Sequence, residues 1–175
     1  MGTTEAAGAP ADVRGFLTAW VETANAGSWG PFAELLHPDV VVHDPMSPVP
    51  ARGRAAALTR TQQQYQPFPD GRIDVLGEPF VSLDPAELAY RWRFTGTHAK
   101  AIDPPGFAPT GRRVAIDGVS VLRFSDQLVI EARLFFDSTD VARQVLAAPP
   151  VGSPLERVVV LSQRLRARLR RPRGR

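Results

Sequence analysis

The 175-residue chain contains no cysteine, which removes a disulfide framework, a thiol nucleophile and any cysteine-ligated zinc or iron–sulfur site. Nothing approaches the ~18 consecutive apolar residues of a membrane-crossing helix. Residues Met1 to Pro10 lack the positive start and apolar run of a secretory signal, so a cytoplasmic location is expected. No Gly-x-Gly-x-x-Gly follows a strand, and no Walker-type loop or Gly-x-Ser-x-Gly elbow occurs. Nucleotide-cofactor and serine-hydrolase readings fall away, and no cofactor is expected. Histidine is scarce: His37, His43 and His98 lie far apart without a metal-type spacing, so no metal is expected. A facial set of His43, His98 and Asp117 is the metal arrangement that stays open. Lysine is scarcer still, with Lys100 alone against twenty Arg.

What is present is a substantial apolar fraction, 43%, with nine Phe and three Trp, enough for one sizeable core. The net charge of +3 divides unevenly. From Leu155 to Arg175 there are eight Arg and a single acid, Glu156, for +7; the other 154 residues hold 13 basic and 17 acidic residues, for −4. The body is mildly acidic and the high pI belongs to the tail.

Val13, Phe16, Leu17, Trp20, Val21 and Ala24 recur at three- and four-residue steps, predicting an amphipathic helix over 11–26 with Asp12 and Gly27 at its ends. A short helix is expected over 31–36, a brief strand over 40–43 stopped by Asp44-Pro45, and a third helix over 52–65. Strands are expected over 72–83, 87–98, 112–124 and 128–136, the last two joined by a tight turn at Ser125-Asp126-Gln127. A short helix over 139–146 precedes a Pro- and Gly-bearing linker, and no internal repeat is visible. Helices first and hairpin-linked strands after them imply an α+β domain, with a curved sheet wrapped around the N-terminal helices as a cone with an apolar interior. Leu88, Tyr90, Trp92 and Phe94 share one strand face, while Arg91, Arg93 and Thr95 share the other.

Apolar strands that keep acids at set points are the main chemical signal, because burial moves a carboxyl toward usable acid/base behaviour. Asp117 alternates with Val119 and Val121 and is expected to share an apolar face with them. Asp137 ends the last strand, where it either faces substrate, held ionised by Arg133, or caps the following helix. Of His43 and Asp44 at most one enters a cavity, since neighbours on a strand face opposite ways, and the carboxylate is the better candidate; an Asx-type turn is the structural alternative. His98 shares a face with Tyr90, Trp92 and Phe94, which places it at the cavity mouth as a proton shuttle or leaves it a structural histidine. His37 follows a helix end and reads as structural.

In the tail, Val158, Leu161, Leu165 and Leu169 with surrounding Arg describe a basic amphipathic helix. The body lacks basic patches interleaved with aromatics, so nucleic acid is not an expected partner, nor is stable membrane insertion.

The order of His43-Asp44-Pro45, Phe68-Pro69-Asp70, Thr95-Gly96-Thr97-His98, Pro109-Thr110-Gly111-Arg112 and a final strand pair ending Phe136-Asp137 resembles the SnoaL-like polyketide cyclases of the nuclear transport factor two superfamily. The resemblance covers about Asp12 to Ala147. It implies a cone-shaped α+β barrel over 11–147, followed by a linker and Arg-rich helical extension over 148–175. It also implies a homodimer, and an enzyme of lyase or isomerase type in secondary-metabolite and antibiotic biosynthesis. In aromatic-polyketide relatives the acid implied is Asp137 or Asp117, serving an aldol closure. In relatives acting on linear and polyether polyketides it is Asp44 with Asp117, opening an epoxide or eliminating water. Two features depart from the family pattern: Asp126-Gln127 replaces the usual Asp-Gly turn, and the loop from Lys100 to Pro105 is this chain's own.

The expectation is therefore a cofactor-free polyketide cyclase. Asp44 and Asp117 form its acid/base pair, and Asp137 and His98 are further catalytic candidates. Tyr90, Trp92, Phe94, Phe107, Arg133 and His43 contact substrate. A non-catalytic binding or dimerisation module of the same fold, marked by a side-chain-filled pocket, is the alternative from another class; a small epoxide hydrolase or isomerase is the alternative within enzymes.

Overall fold

The computed structural model describes residues 10–82, 87–103 and 106–169, with the side chain of Leu169 left aside. Helix α1 (Val13–Asn25) opens on Asp12, whose Oδ1 accepts from the Gly15 amide at 2.8 Å, and buries Leu17, Val21 and Ala24. Gly27, at φ 63°, turns the chain out of it. Helix α2 (Trp29–Glu34) starts two residues earlier than expected and buries Phe32.

Strand β1 (Leu36–His43) is longer than the expected segment and carries a register shift between Leu36 and Val41. A two-residue strand, β2 (Ala51–Arg52), pairs with it where the sequence gives no strand and places Arg52 at the start of the third helix. Helix α3 (Arg54–Tyr65) follows. The expected strand over 72–83 divides at Gly77, φ 77°, into β3 (Arg72–Val75) and β4 (Phe80–Val81), both pairing with β5; position 83 lies outside the described residues.

Strands β5 (Glu87–Thr97), β6 (Arg113–Ser125) and β7 (Leu128–Phe136) form the long antiparallel centre. Asp126 and Gln127 both take positive φ, 51° and 62°, as a two-residue primed hairpin turn requires. Because β7 pairs in parallel with β1, the sheet is mixed, in the order β2-β1-β7-β6-β5-β3. It is curved and not closed, and the helices lie on its inner face, as the expected cone-shaped α+β architecture requires.

The inner face buries Leu88, Tyr90, Trp92 and Phe94 from β5 and Val114, Ile116, Ser120, Leu122 and Phe124 from β6. Phe16 of α1 meets Phe124 edge-on at 5.0 Å, and Trp20 packs on Phe32 at 4.6 Å. Each such side chain, fully buried, contributes about 1.5–3 kcal/mol of transfer free energy. Helix α4 (Ser138–Gln144) returns along β6, where Gln144 brackets Ala115 with hydrogen bonds to its amide and carbonyl, both 2.8 Å. Helix α5 (Pro154–Leu169) is the expected basic helix, with Val158, Leu161 and Leu165 exposed. No helix among the described residues is long and apolar enough to cross a membrane.

Candidate active site

The sheet does not fill its own concavity. Between α1, α3 and the inner faces of β5, β6 and β7 lies a cavity of about 170 Å³, on the order of the ~150 Å³ void that admits a benzene ring. Tyr90, Trp92 and Phe94 form one wall, at successive inward positions of β5. Ile116, Leu122 and Leu134 continue it onto β6 and β7.

Local pairing fixes the wall. Trp92 lies opposite Gly118, where any side chain would collide with the indole ring. Its Nε1 donates to Ser120 Oγ at 3.0 Å. Trp20 Nε1 donates to the Tyr90 hydroxyl at 2.9 Å, and Tyr90 is hydrogen-bonded to Ser120 as well. Burial raises the Tyr90 phenol above its ordinary value, against smaller opposing pulls from Ser120 and Trp20, so it stays neutral. These four side chains satisfy one another and set the wall's orientation.

Asp44 supplies the carboxylate. Strand alternation turns Val40 and Val42 inward, and Asp44 follows them in phase at the strand's end, so it enters the cavity while His43 faces outward. It is 7% exposed and is the one acid in the buried class among the described residues. Its Oδ1 accepts from the Met46 amide at 2.8 Å, an Asx-type turn, and its Oδ2 accepts from Gln64 Nε2 of α3 at 3.0 Å. Each oxygen keeps a second lone pair. The turn and the cavity position therefore coexist.

The expected Asp44–Asp117 pair does not form across the cavity. Asp117 does share a face with Val119 and Val121, but that face is the outer one; Val114, Ile116 and Ser120 are the inward residues of β6. Both Asp117 oxygens accept from Arg93, its cross-strand neighbour, at 2.6 and 2.7 Å. That bond holds the exposed carboxyl below its ordinary range. The error arises because Val119 and Val121 stand on the outer face of β6 beside Asp117, so its nearest same-face neighbours do not say which face is inside.

Asp137 takes its structural alternative. It caps α4, with Oδ1 accepting from the Thr139 and Asp140 amides at 2.8 and 3.0 Å, and these bonds, Asp140 first, lower its pKa. Arg133 does not hold it: Arg133 points outward and pairs with Glu131 at 2.6 Å. His43 faces the same Glu131, Nε2 to Oε1 at 3.2 Å, and Arg123 completes the outer cluster at 2.7 Å. The guanidinium of Arg123, then that of Arg133, keeps the Glu131 carboxyl low.

His98 is fully buried and is not among the cavity's lining residues. Its ring packs on Phe68, centroids 5.7 Å apart, and Nδ1 lies 3.2 Å from Thr110 Oγ1. Desolvation lowers its pKa, against a smaller pull from the Lys100 backbone. It occupies the place of a structural histidine rather than the mouth. His43, His98 and Asp117 are thus held apart, and no cluster of three His, Asp or Glu suited to a metal is found among the described residues. Phe107 forms a bridge with Ile102 and packs on the core, while Ile102 and Asp103 line the cavity in its stead.

Sequence reasoning missed the contribution of α3. Arg60, Thr61, Gln64 and Tyr65 all line the cavity. The signal was there in a helix that carries three consecutive Gln, 62–64, and buries only Ala57: too weak an apolar stripe to be wholly core-facing.

The described fold resembles several solved structures. One is a candidate SnoaL-like polyketide cyclase from Jannaschia sp. CCS1 (22% identity, TM-score 0.66, covering 77% of this chain and 92% of that one). Another is AclR, a candidate hydroxylase from Streptomyces galilaeus (23%, TM-score 0.64, 78% and 96%). A third is the epoxide hydrolase/cyclase-like enzyme SalBIII of pyran ring formation in the polyether salinomycin (20%, TM-score 0.59, 73% and 92%). At these identities the likeness is one of fold. No curated protein matches the chain. The family model for SnoaL-like polyketide cyclases matches residues 14–145, most of the sequence and nearly every element around the cavity, and on that match the chain belongs to the SnoaL-like polyketide cyclase family.

Proposed function

We propose that the chain is a cofactor-free cyclase that closes a ring on a polyketide-type substrate, with Asp44 as its general acid/base. The observation that carries this reading is the position of Asp44: one buried carboxylate at the polar edge of an otherwise apolar, ring-sized cavity. Its two hydrogen bonds fix the carboxylate, each oxygen keeps acceptor capacity, and the residue lines the cavity a substrate would fill. Asp44 removes a proton from the carbon or hydroxyl that becomes the nucleophile; as the new ring bond forms, the carbonyl π bond or the epoxide C–O bond breaks, and the proton is returned to the oxygen left anionic. General acid/base catalysis of this kind contributes about 10²–10⁴-fold. The wall of Tyr90, Trp92 and Phe94 folds the substrate so that its ends meet, converting closure into a well-oriented intramolecular step.

The epoxide hydrolase/cyclase-like activity named for SalBIII gives a second form of the same chemistry, with the proton delivered to an opening epoxide. The binding-module alternative is disfavoured by a ring-sized cavity that side chains leave unfilled. The outer sheet face, where Phe135 is 54% exposed beside the Glu131 cluster, suits a homodimer of this fold.

The test is ring closure followed by mass spectrometry on two substrate sets, linear poly-β-keto esters and hydroxy-epoxide chains. Wild type is expected to close one set, and Asp44→Asn to lose roughly 10²–10⁴-fold. Turnover of Asp44→Asn at the wild-type rate would overturn the assignment.

A further inference from the structure

Arginines on α3 are in two different states. Arg54, at its start, donates from Nε and Nη2 to the Leu36 carbonyl at 2.9 and 2.6 Å and so ties the helix to β1. Arg60, farther along the helix, lines the cavity. Its Nε is buried and makes no hydrogen bond among the described residues, and its guanidinium forms no ion pair there. Two carboxylates line the same cavity, yet neither neutralises it. Asp44 bonds Met46 and Gln64 and forms no ion pair with Arg60, and Asp103 is exposed.

A buried N–H of a charged group without an acceptor is strongly unfavourable, and it is relieved only by an oxygen placed against it. A second donor in the same cavity is in the same condition: the Tyr65 hydroxyl, five residues along α3, is buried and unpartnered among the described residues. Burial pushes that phenol well above its ordinary range, so it presents a hydrogen and not a charge. Arg143 also has an unpartnered Nε, but it does not line the cavity. The cavity therefore combines an apolar ring-sized body with a guanidinium that forms no ion pair among the described residues and with the Tyr65 phenol, both brought to it by α3.

We infer that Arg60 is the anion-binding residue of this cavity, and that the substrate carries an ionised oxygen, a carboxylate or an enolate, on an apolar ring-sized body. The inference rests on the cavity being the substrate site proposed above. It assigns a second atom of that substrate besides the one Asp44 acts on: the guanidinium neutralises the anionic oxygen while Asp44 handles the proton. An enolate formed during closure is stabilised in the same place, because a fixed cation in a low-dielectric site costs no reorganisation when the charge develops. The planar fork suits a carboxylate or enolate better than an ammonium would.

The test is binding, not turnover, so it succeeds or fails independently of Asp44. Three probes of one size are titrated into the full-length protein: 2-naphthoate, 4-nitro-1-naphthol at a pH where it is ionised, and the neutral 2-naphthamide. Trp20 and Trp92, in the cavity wall, report occupancy by fluorescence. At least one anionic probe is expected to bind roughly tenfold more tightly than the amide. Arg60→Gln should bring all three within about twofold of one another, with Arg60→Lys intermediate. Which anion wins separates a carboxylate from an enolate-type oxygen. Equal affinity for all three probes in wild type, failure of both anions to bind, or a preference that persists in Arg60→Gln overturns the proposal. The wild-type comparison alone decides the matter if the variants do not fold.

Discussion

Gln64 Nε2 donates to Asp44 Oδ2 across 3.0 Å, joining α3 to the carboxylate at the end of β1. Under the proposed function, the bond makes Gln64 a positioning residue for the acid. Gln64→Leu leaves Asp44 in place on the Met46 amide alone and frees one oxygen to rotate. Activity is expected to fall roughly ten- to a hundredfold, mostly in kcat, because small misplacements of a catalytic group are costly. Gln64→Glu removes the donor and adds a like charge, and should be worse. Equal kcat in wild type and Gln64→Leu would remove the residue from the mechanism.

The three aspartates raised by the sequence should separate cleanly on substitution. Asp117→Asn leaves the cavity untouched, so ring closure is expected to stay within about twofold of wild type. Asp137→Ala is equally silent in turnover but lowers the melting temperature by a few degrees, through loss of the cap that serves two amides of α4. Asp137→Asn, which still caps, should largely restore it. Both carboxyls have lowered pKa values in the fold. Their stabilisation is therefore complete above the ordinary carboxylate range, near pH 4, and is lost as pH falls through the folded values. A melting-temperature series from neutral to acid, compared between wild type and each Asn variant, checks this.

The architecture was legible because its signals were strong and redundant: the three- and four-residue spacing of α1, the long alternations of β5 to β7, and caps at Asp12 and Gly27. The site was legible only in part. Asp44 could be chosen over His43 because adjacent strand residues point opposite ways. Asp117 was misplaced because Val119 and Val121 follow it on the same, outer face and lend it an apolar neighbourhood. For Gln64, Arg60 and Tyr65 the weak apolar stripe of α3 was the only signal, since a helix presents its polar residues to solvent by default and only the tertiary fold places α3 over a cavity.

Gly118 opposite Trp92 gives a prediction on the wall itself. A methyl group there meets the indole ring directly, and Trp92 is also held by Ser120, so the ring cannot simply swing away. Gly118→Ala should destabilise the fold by about 1–3 kcal/mol, the usual cost of overpacking. For a chain of this size that is several degrees in melting temperature. Tryptophan emission should shift as Trp92 moves. An unchanged melting temperature and spectrum would show that the wall is more compliant than its geometry implies.

His98 gives the fold a pH dependence separate from that of the carboxylates. Desolvation holds its pKa below the ordinary value of about 6.5, so in the unfolded chain it binds a proton at a pH where the folded protein keeps it neutral. Between those two values the unfolded state binds more protons, and stability must rise with pH. The contribution is complete above about pH 6.5 and is lost as pH falls toward the folded value. The nearby contacts are uncharged, Phe68 and Thr110, so no carboxylate offsets the loss. Wild type is expected to lose melting temperature between ~pH 7.5 and ~pH 5, and His98→Gln, which can still meet Thr110 but does not titrate, to lose less over the same interval. Parallel curves for the two proteins would remove His98 as the source of the pH sensitivity.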